Sequence, residues 1–373
     1  MIRIIIVLGL LFLLYKLQEK LYKKHWDQSL KLDIAYGSTD AFEGGTVSFQ
    51  ETLWNGKRLP MPYVSASYNQ HINLRQTDLS GKDTYYGRLR DTFFVSPGKR
   101  RVTRNTMLVC EKRGFYFIDG ATISSADIFL SRSYNKAVEV YTSLTVYPRE
   151  IEIDEVEIPY KTLSGEILTK RFILPDPFEF TGIREYQPFD SFKQLNFKAW
   201  GKTGEPMSNI YGHTVSQEVR IILNLQPYNP FIRDGVYENA IRLAAFLARK
   251  YLEAGIPVSF VTNGLDCITN LPGRSEKGQS SRHLREIYEI LARISVEKNW
   301  ECDHIKEFLP SVSELSSMGC VVALISSFAD ESVYNWQANA LESGAKVLWV
   351  APKTARDEDK YLGDVVVWDV DNG

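Results

Sequence analysis

Cysteine is scarce in this 373-residue chain. Only Cys110, Cys267, Cys302 and Cys320 occur, and no two are spaced as CxxC. A disulfide framework is thereby excluded, and four reduced, mostly buried thiols in a reducing compartment are expected. Net charge is also small, −2, so no global positive field recruits nucleic acid. Internal repeats and low-complexity tracts are absent. No G-x-S-x-G elbow is present, and neither His213 nor His283 stands near a serine or cysteine in a catalytic spacing. Long apolar runs are equally rare. The one exception is Ile4 to Tyr15 (IIIVLGLLFLLY), between Arg3 and Lys16.

That run is shorter than the ~20 residues a bilayer core asks for. Ile2 and Leu17 extend it, and Arg3 and Lys16 can snorkel. No small-residue cleavage site follows, and KLQEKLYKKHW suits a helix that continues, so a single-span anchor over residues 1–29 is expected rather than a signal peptide. Lys16, Lys20, Lys23 and Lys24 lie beyond the run, against Arg3 and the α-amine before it. The positive-inside rule then puts the body of the chain in the cytoplasm at the cell membrane.

The length suggests two folded units plus the anchor. Residues 30–147 read as all-β: short Val-, Thr-, Tyr- and Phe-rich segments such as Thr46 to Leu53, Tyr63 to Tyr68, Thr106 to Cys110 and Gly114 to Ile118 alternate with turns at Asn55-Gly56 and Asp119-Gly120. A β-sandwich is the natural closure. Residues 148–216 are a connecting segment. From residue 217 to the end, buried unalternating strands alternate with amphipathic helices. Strands are expected at Val219 to Leu225, Val258 to Asn263, Cys320 to Ser326, Lys346 to Val350 and Val365 to Trp368. Helices are expected at Gly235 to Glu253, Arg282 to Lys298 and Glu331 to Glu342. This is the pattern of a parallel sheet covered on both faces, an α/β, Rossmann-like doubly wound domain.

Within the connecting segment, GIREYQPFDSFKQLNFKAWGKTGEP interleaves aromatics, charges and turn formers. Its core, Gly182, Arg184, Tyr186, Pro188, Asp190, Lys193, Asn196, Lys198 and Gly204, resembles the domain-of-unknown-function 58 family. Tyr147-Pro148, the run Lys112 to Tyr116 and Asp127-Ile128-Phe129 resemble that family's flanking segments. Phe189, Lys193 and Phe197 depart from its usual Gly, Arg and Trp. The resemblance implies that the carboxy-terminal unit is von Willebrand factor A-like. It also implies that the chain works beside a MoxR-type AAA+ ATPase and a transglutaminase-like membrane protein, in complex assembly or cell-envelope processes.

Such A-like domains often hold Mg²⁺ through D-x-S-x-S after the first strand. Here the matching residues are Asn224-Leu225-Gln226-Pro227-Tyr228. The carboxylate and both serines are missing, and neither metal nor cofactor binding is expected. Asn224, Gln226, Ser326, Ser327 and Asp330, at the ends of two strands, are the candidate partner-binding loops. The leading expectation is a membrane-anchored, non-enzymatic interaction or scaffold protein. The alternatives are an enzyme whose site lies at the domain seam around Arg184 and Asp190, and a metal-dependent A-domain binder.

Three further stretches have a sharp and a bland reading. Gly273 to Ser280 imitates a phosphate loop, but Gln279 stands where a lysine must reach the phosphates, so a flexible loop is expected. Cys302-Asp303-His304 offers metal-ligand types, yet adjacent residues seldom aim at one ion. Lys99-Arg100-Arg101 with Arg104 is a solvated turn or, beside an anchor, a contact for anionic headgroups.

Overall fold

A computed structural model describes residues 2–58, 60–77, 83–85, 89–96, 98–149, 151, 180–187, 195–211, 218–227, 234–318, 321–354, 361 and 363–370. The chain divides into two compact units, Met1–Arg149 and Glu150–Gly373.

The first unit opens with helix α1 (Ile2–His25). Twelve strands follow: β1 (Leu30–Tyr36), β2 (Asp40–Phe42), β3 (Thr46–Asn55), β4 (Met61–Asn69), β5 (Leu74–Thr77), β6 (Asp83–Tyr85), β7 (Leu89–Ser96), β8 (Arg100–Cys110), β9 (Gly114–Ile118), β10 (Ala121–Ala126), β11 (Ser133–Val138) and β12 (Thr142–Tyr147). They form three sheets, ordered β1-β3-β8-β5-β6, β11-β10-β4-β7 and β2-β12-β9. Strand β3 shows why: its burial alternates strictly along TVSFQETLWN, the period-2 signature of a strand with one face against a core. One core gathers Ile34, Phe49, Leu108, Tyr116, Ile118, Leu144 and Val146 between the first and third sheets. A second joins Leu53, Met61, Val64, Phe94 and Ile123 to Tyr22 of α1 and to Trp26 just beyond its end.

That second core corrects the expected membrane anchor. No described helix is long and apolar enough to cross a membrane. The apolar run spans only the first half of α1. The second half belongs to the β unit: Tyr22 is fully buried, Gln18 donates to Asp127 at 3.2 Å, Glu19 pairs with Arg132 at 2.7 Å, and Trp26, one residue past the helix, stacks with Tyr134. The apolar stretch that precedes these residues, exposed from Ile4 to Leu14, is by itself shorter than the ~20 residues a bilayer core asks for. Single-pass localisation at the membrane, and the orientation argued from flanking lysines, fall with it.

In the second unit a two-stranded sheet pairs β13 (Phe180–Glu185) with β14 (Met207–Tyr211), with helix α2 (Phe197–Thr203) between them in sequence. The main sheet contains β15 (Val219–Asn224), β16 (Val258–Leu265), β17 (Pro272–Gly278), β18 (Val321–Ser326), β19 (Lys346–Lys353) and β20 (Val365–Asp369). Its order is β17-β16-β15-β18-β19-β20. Helices α3 (Asp234–Glu253), α4 (Ser281–Arg293), α5 (Val312–Met318) and α6 (Glu331–Glu342) connect the strands. Strand β18 is buried at every position, as a central strand covered on both faces must be. Ile222, Val322, Leu324, Val333, Val347 and Trp349 form the core on one side.

The expected fold class is therefore corrected. No described helix is long and apolar enough to span a membrane, and the sheet is mixed, with one antiparallel edge strand, rather than the parallel sheet expected. Strand β17 runs antiparallel to β16 and occupies most of the stretch expected as a flexible loop. Its register pairs Arg274 with Val261 and Ser275 with Phe260, and the buried Ser275 hydroxyl donates to Glu286 of α4 at 2.8 Å. A stretch rich in Gly and charge becomes an edge strand because its backbone groups complete the ladder of β16. The chain as described is a mixed α/β protein rich in strands.

Candidate functional site

The residues expected at the ends of β15 and β18 meet in space. These two strands are adjacent and parallel, with Asn224 opposite Ser326. The chain leaves β15 for β16 on one side and reaches β18 on the other, so their carboxyl ends mark the place where the strand order reverses. In open α/β sheets that crevice is where ligands and partners are met.

Here the crevice is closed by side chains. The Asn224 amide donates to Ser326 Oγ at 2.8 Å. Asn224 Oδ1 accepts from Asn263 Nδ2 at 2.8 Å and from the Gln226 N–H at 2.9 Å. Asn263 gives its other amide hydrogen to the Asp303 carbonyl and accepts from the Leu225 N–H. Ser326 Oγ donates to the Phe328 carbonyl at 2.7 Å, and the Ser326 carbonyl accepts from the Trp349 indole. All three side chains are at most 2% exposed. Both lone pairs of the Asn224 carbonyl oxygen are occupied, as are both hydrogens of the Asn263 amide. Such a cluster rigidifies the loops that carry it.

Around this plug lies a half-exposed rim. Gln226 Oε1 accepts from the Ile305 N–H at 3.2 Å, tying the first loop to the third. The Ser327 carbonyl accepts from the Tyr361 hydroxyl at 3.0 Å. Asp330 caps α6: its Oδ1 accepts from the Val333 N–H at 2.9 Å and from Ser332 at 2.7 Å, while Oδ2 meets His304 Nε2 at 3.0 Å. His304 Nδ1 accepts from the Lys306 N–H, so the proton sits on Nε2 and is given to Asp330. Both ring nitrogens are then engaged. The ring also stands edge-on to Phe328. Burial alone would raise the Asp330 carboxyl, but hydrogen bonds from Ser332, Val333 and His304 outweigh it and hold the group below the usual carboxylate value. Among the described residues no three His, Cys, Asp or Glu side chains gather as a metal-binding group.

The motif segment is framed by its own residues. Asn196 caps α2, accepting from the Ala199 N–H at 2.9 Å and donating to Asn209 of β14 at 2.7 Å. Gly204 ends the helix at φ 79°, with its N–H on the Trp200 carbonyl, a left-handed position that favours glycine. Gly182 and Arg184 lie on β13, and Arg184 donates to the Glu185 carbonyl at 3.0 Å. The Tyr186 N–H reaches the Pro206 carbonyl, and Lys198 is exposed on α2. Pro188, Asp190 and Lys193 lie outside the described residues, so the pairing expected between Arg184 and Asp190 lies outside them too.

Sequence reading missed Asn263 and the His304–Asp330 pair. The first ends an apolar run, as Asn224 does, and that parallel was the available signal. The second links residues 26 positions apart, and nothing local announces it. Elsewhere, His283 is a satisfied core residue, donating to the Val258 carbonyl at 2.8 Å. Of the thiols described, Cys110 is buried, Cys267 exposed and Cys302 half-buried. The basic run begins β8, where Arg101 lies 5.8 Å over the Trp54 ring. Its reading as a headgroup contact rested on the anchor and lapses with it.

No known family model matches the chain, and no curated protein matches it. Solved structures similar to part of it include a type II cohesin domain from the cellulosome of Acetivibrio cellulolyticus, at 9% identity and TM-score 0.26, covering 31% of this chain and 95% of that one. A non-cellulosomal cohesin from Archaeoglobus fulgidus aligns at 14% identity and TM-score 0.22, over 34% of this chain and 96% of its own. The CARDB domain of a Pyrococcus furiosus protein in complex with di-metal ions aligns at 12% and 0.21, over 32% and 94%.

Proposed function

We propose that this chain is a non-enzymatic interaction protein that docks another protein on the rim at the carboxyl ends of β15 and β18. One observation carries the reading: the polar groups gathered at that place are spent on each other. Catalysis needs groups held ready for a substrate, with an unsatisfied donor, acceptor or base aimed into solvent. Asn224, Asn263 and Ser326 instead form a buried plug whose bonds run to one another and to nearby backbone, and His304 has both nitrogens engaged. What stays partly exposed is a mixed surface of Gln226, His304, Phe328, Asp330 and Tyr361. That chemistry suits a protein partner, with an aromatic anchor and a polar rim.

The motif around Gly182 to Gly204 makes a MoxR-type AAA+ ATPase the first partner to try and a transglutaminase-like protein the second. Surface plasmon resonance with the immobilised full chain tests this. His304→Ala and, in a sample shown to be folded by circular dichroism, Phe328→Ala are expected to weaken binding of the ATPase about tenfold each, the equivalent of ~1.4 kcal/mol. A partner that binds both variants as tightly as the parent chain removes the rim from the interface. Turnover of any substrate class that disappears in Asp190→Asn overturns the non-enzymatic reading itself.

A further inference from the structure

The first unit carries a polar face that neither of its cores uses. Strand β3 buries Val47, Phe49, Glu51 and Leu53 and turns Ser48, Gln50, Thr52 and Trp54 the other way. The neighbouring strands continue that outer face. Lys31 of β1 and Arg101 of β8 lie opposite Trp54, Asp33 and Thr103 lie opposite Thr52, and Asn105 lies opposite Gln50. Of these side chains Thr52 is half-buried and the rest are exposed. Lys31, Asp33, Gln50, Thr52, Trp54 and Arg101 line a depression of about 350 Å³, a volume that small-ligand sites share.

The face has an ordered pattern of chemistry. Neighbouring strands stand ~4.8 Å apart, so the row Lys31, Trp54, Arg101 sets an indole between two cations. Arg101 lies 5.8 Å over the indole, and Trp54 keeps 37% of its surface exposed beside it. Among the described residues the Lys31, Asp33 and Arg101 side chains enter no ion pair. The adjoining rows are tied down: Thr52 and Thr103 share a hydrogen bond at 3.2 Å, and Gln50 donates to Asn105 at 3.0 Å. That bond uses one hydrogen of the Gln50 amide and leaves its carbonyl oxygen and its other hydrogen unspent.

We propose that this face binds an oligosaccharide bearing carboxylates, a chain of uronic acids. A pyranose ring has a C–H face and a rim of hydroxyls. Its C–H bonds, polarised positive, lie on the negative face of the Trp54 ring. A carboxylate on either side of that sugar then meets Lys31 or Arg101 in a charge-assisted bond. Asp33, one row along, accepts from hydroxyls, and Gln50 both donates and accepts. Two other occupants fit less well. The core of a protein interface is rich in aromatics and depleted of charge, whereas Trp54 is the one large apolar side chain lining this depression. Single-stranded nucleic acid is held by successive stacking rings in a basic groove, whereas here one ring stands with a carboxylate, Asp33, beside it. The site lies in the first unit and is independent of the docking rim proposed for the second.

Isothermal titration calorimetry of the full chain with hexamers of galacturonic acid, of mannuronic acid and of glucose tests the assignment. At least one acidic hexamer is expected to bind, and the glucose hexamer about tenfold more weakly or not at all. Trp54→Ala and Arg101→Gln are each expected to weaken the acidic sugar about tenfold, and Trp54→Tyr to keep most of the affinity. If Trp54→Ala fails to fold by circular dichroism, Arg101→Gln, a change at an exposed side chain, decides the matter. No heat with any hexamer, glucose bound as tightly as the acidic sugars, or an affinity unchanged in a folded Trp54→Ala or Arg101→Gln variant overturns the proposal. An oligothymidylate that binds the parent chain and loses affinity in the same variants, while the sugars give no heat, replaces the sugar with single-stranded nucleic acid.

Discussion

At the scale of single residues, the informative groups are polar and hidden. Asp330 illustrates how one carboxylate can hold two elements. It caps α6 and pins the loop that carries His304, so Asp330→Ala is expected to cost about 1 kcal/mol in urea denaturation at neutral pH, the ordinary worth of an N-cap. The pH dependence has a definite sign. Its folded pKa lies below the unfolded value, so the stabilisation is fully present above the unfolded carboxylate's pKa of about 3.9. It disappears as pH falls through the lower, folded value. The difference in stability between the parent chain and Asp330→Ala should therefore shrink below about pH 4. A difference that stays constant down to pH 2 would remove the charged cap. None of this was visible as a motif. Asn224, Ser326 and Asp330 could be named from their places after apolar runs, but their partners Asn263 and His304 lie 39 and 26 positions away, and only folding brings them within reach.

At the scale of elements, α1 carries the main lesson. Its composition changes abruptly at Lys16, from continuous apolar residues to a mixed helix with Tyr22 buried and Trp26 just past its end. Those two rings complete a core with Leu53, Met61 and Val64, and the fully buried Tyr22 hydroxyl shares a hydrogen bond with Ser125. Tyr22→Ala is expected to destabilise the chain by about 3 kcal/mol, the usual cost of emptying a large aromatic site. A thermal melt unchanged from the parent would show that the helix does not belong to that core. Strand β17 makes the converse point. Its Gly, Pro and charges argue against a strand on propensity, yet the ladder of β16 and the contact of Ser275 with Glu286 decide its conformation. The helix expected over Arg282 to Lys298 instead ends at Arg293, because Ile294 turns to an extended conformation and a 3₁₀ segment, Val296–Glu301, takes over.

For the whole molecule, the balance of charge makes a simple prediction. With a net charge of −2 at neutral pH and a pI of about 6.3, the chain loses its self-repulsion on mild acidification. Exposed apolar residues from Ile4 to Leu14 and at Ile128, Phe129 and Leu130 are then free to associate. Light scattering is expected to show a solubility minimum near pH 6.3, relieved on either side. A second virial coefficient that does not change between pH 5 and 8 would show that these patches are covered in solution.

The amino-acid order by itself determined where elements begin and change type. Periodicity, turn dipeptides and caps such as Asn196 and Gly204 are local signals, set by dihedral preference and by which side chains alternate between water and core. Tertiary structure alone decided what the surplus of each element does: that half of an apolar helix serves a β core, that a charged glycine-rich stretch finishes a sheet, and that three separated polar residues close a crevice. Those outcomes rest on pairings between distant residues, whose free energy exists only once the backbone has brought them together.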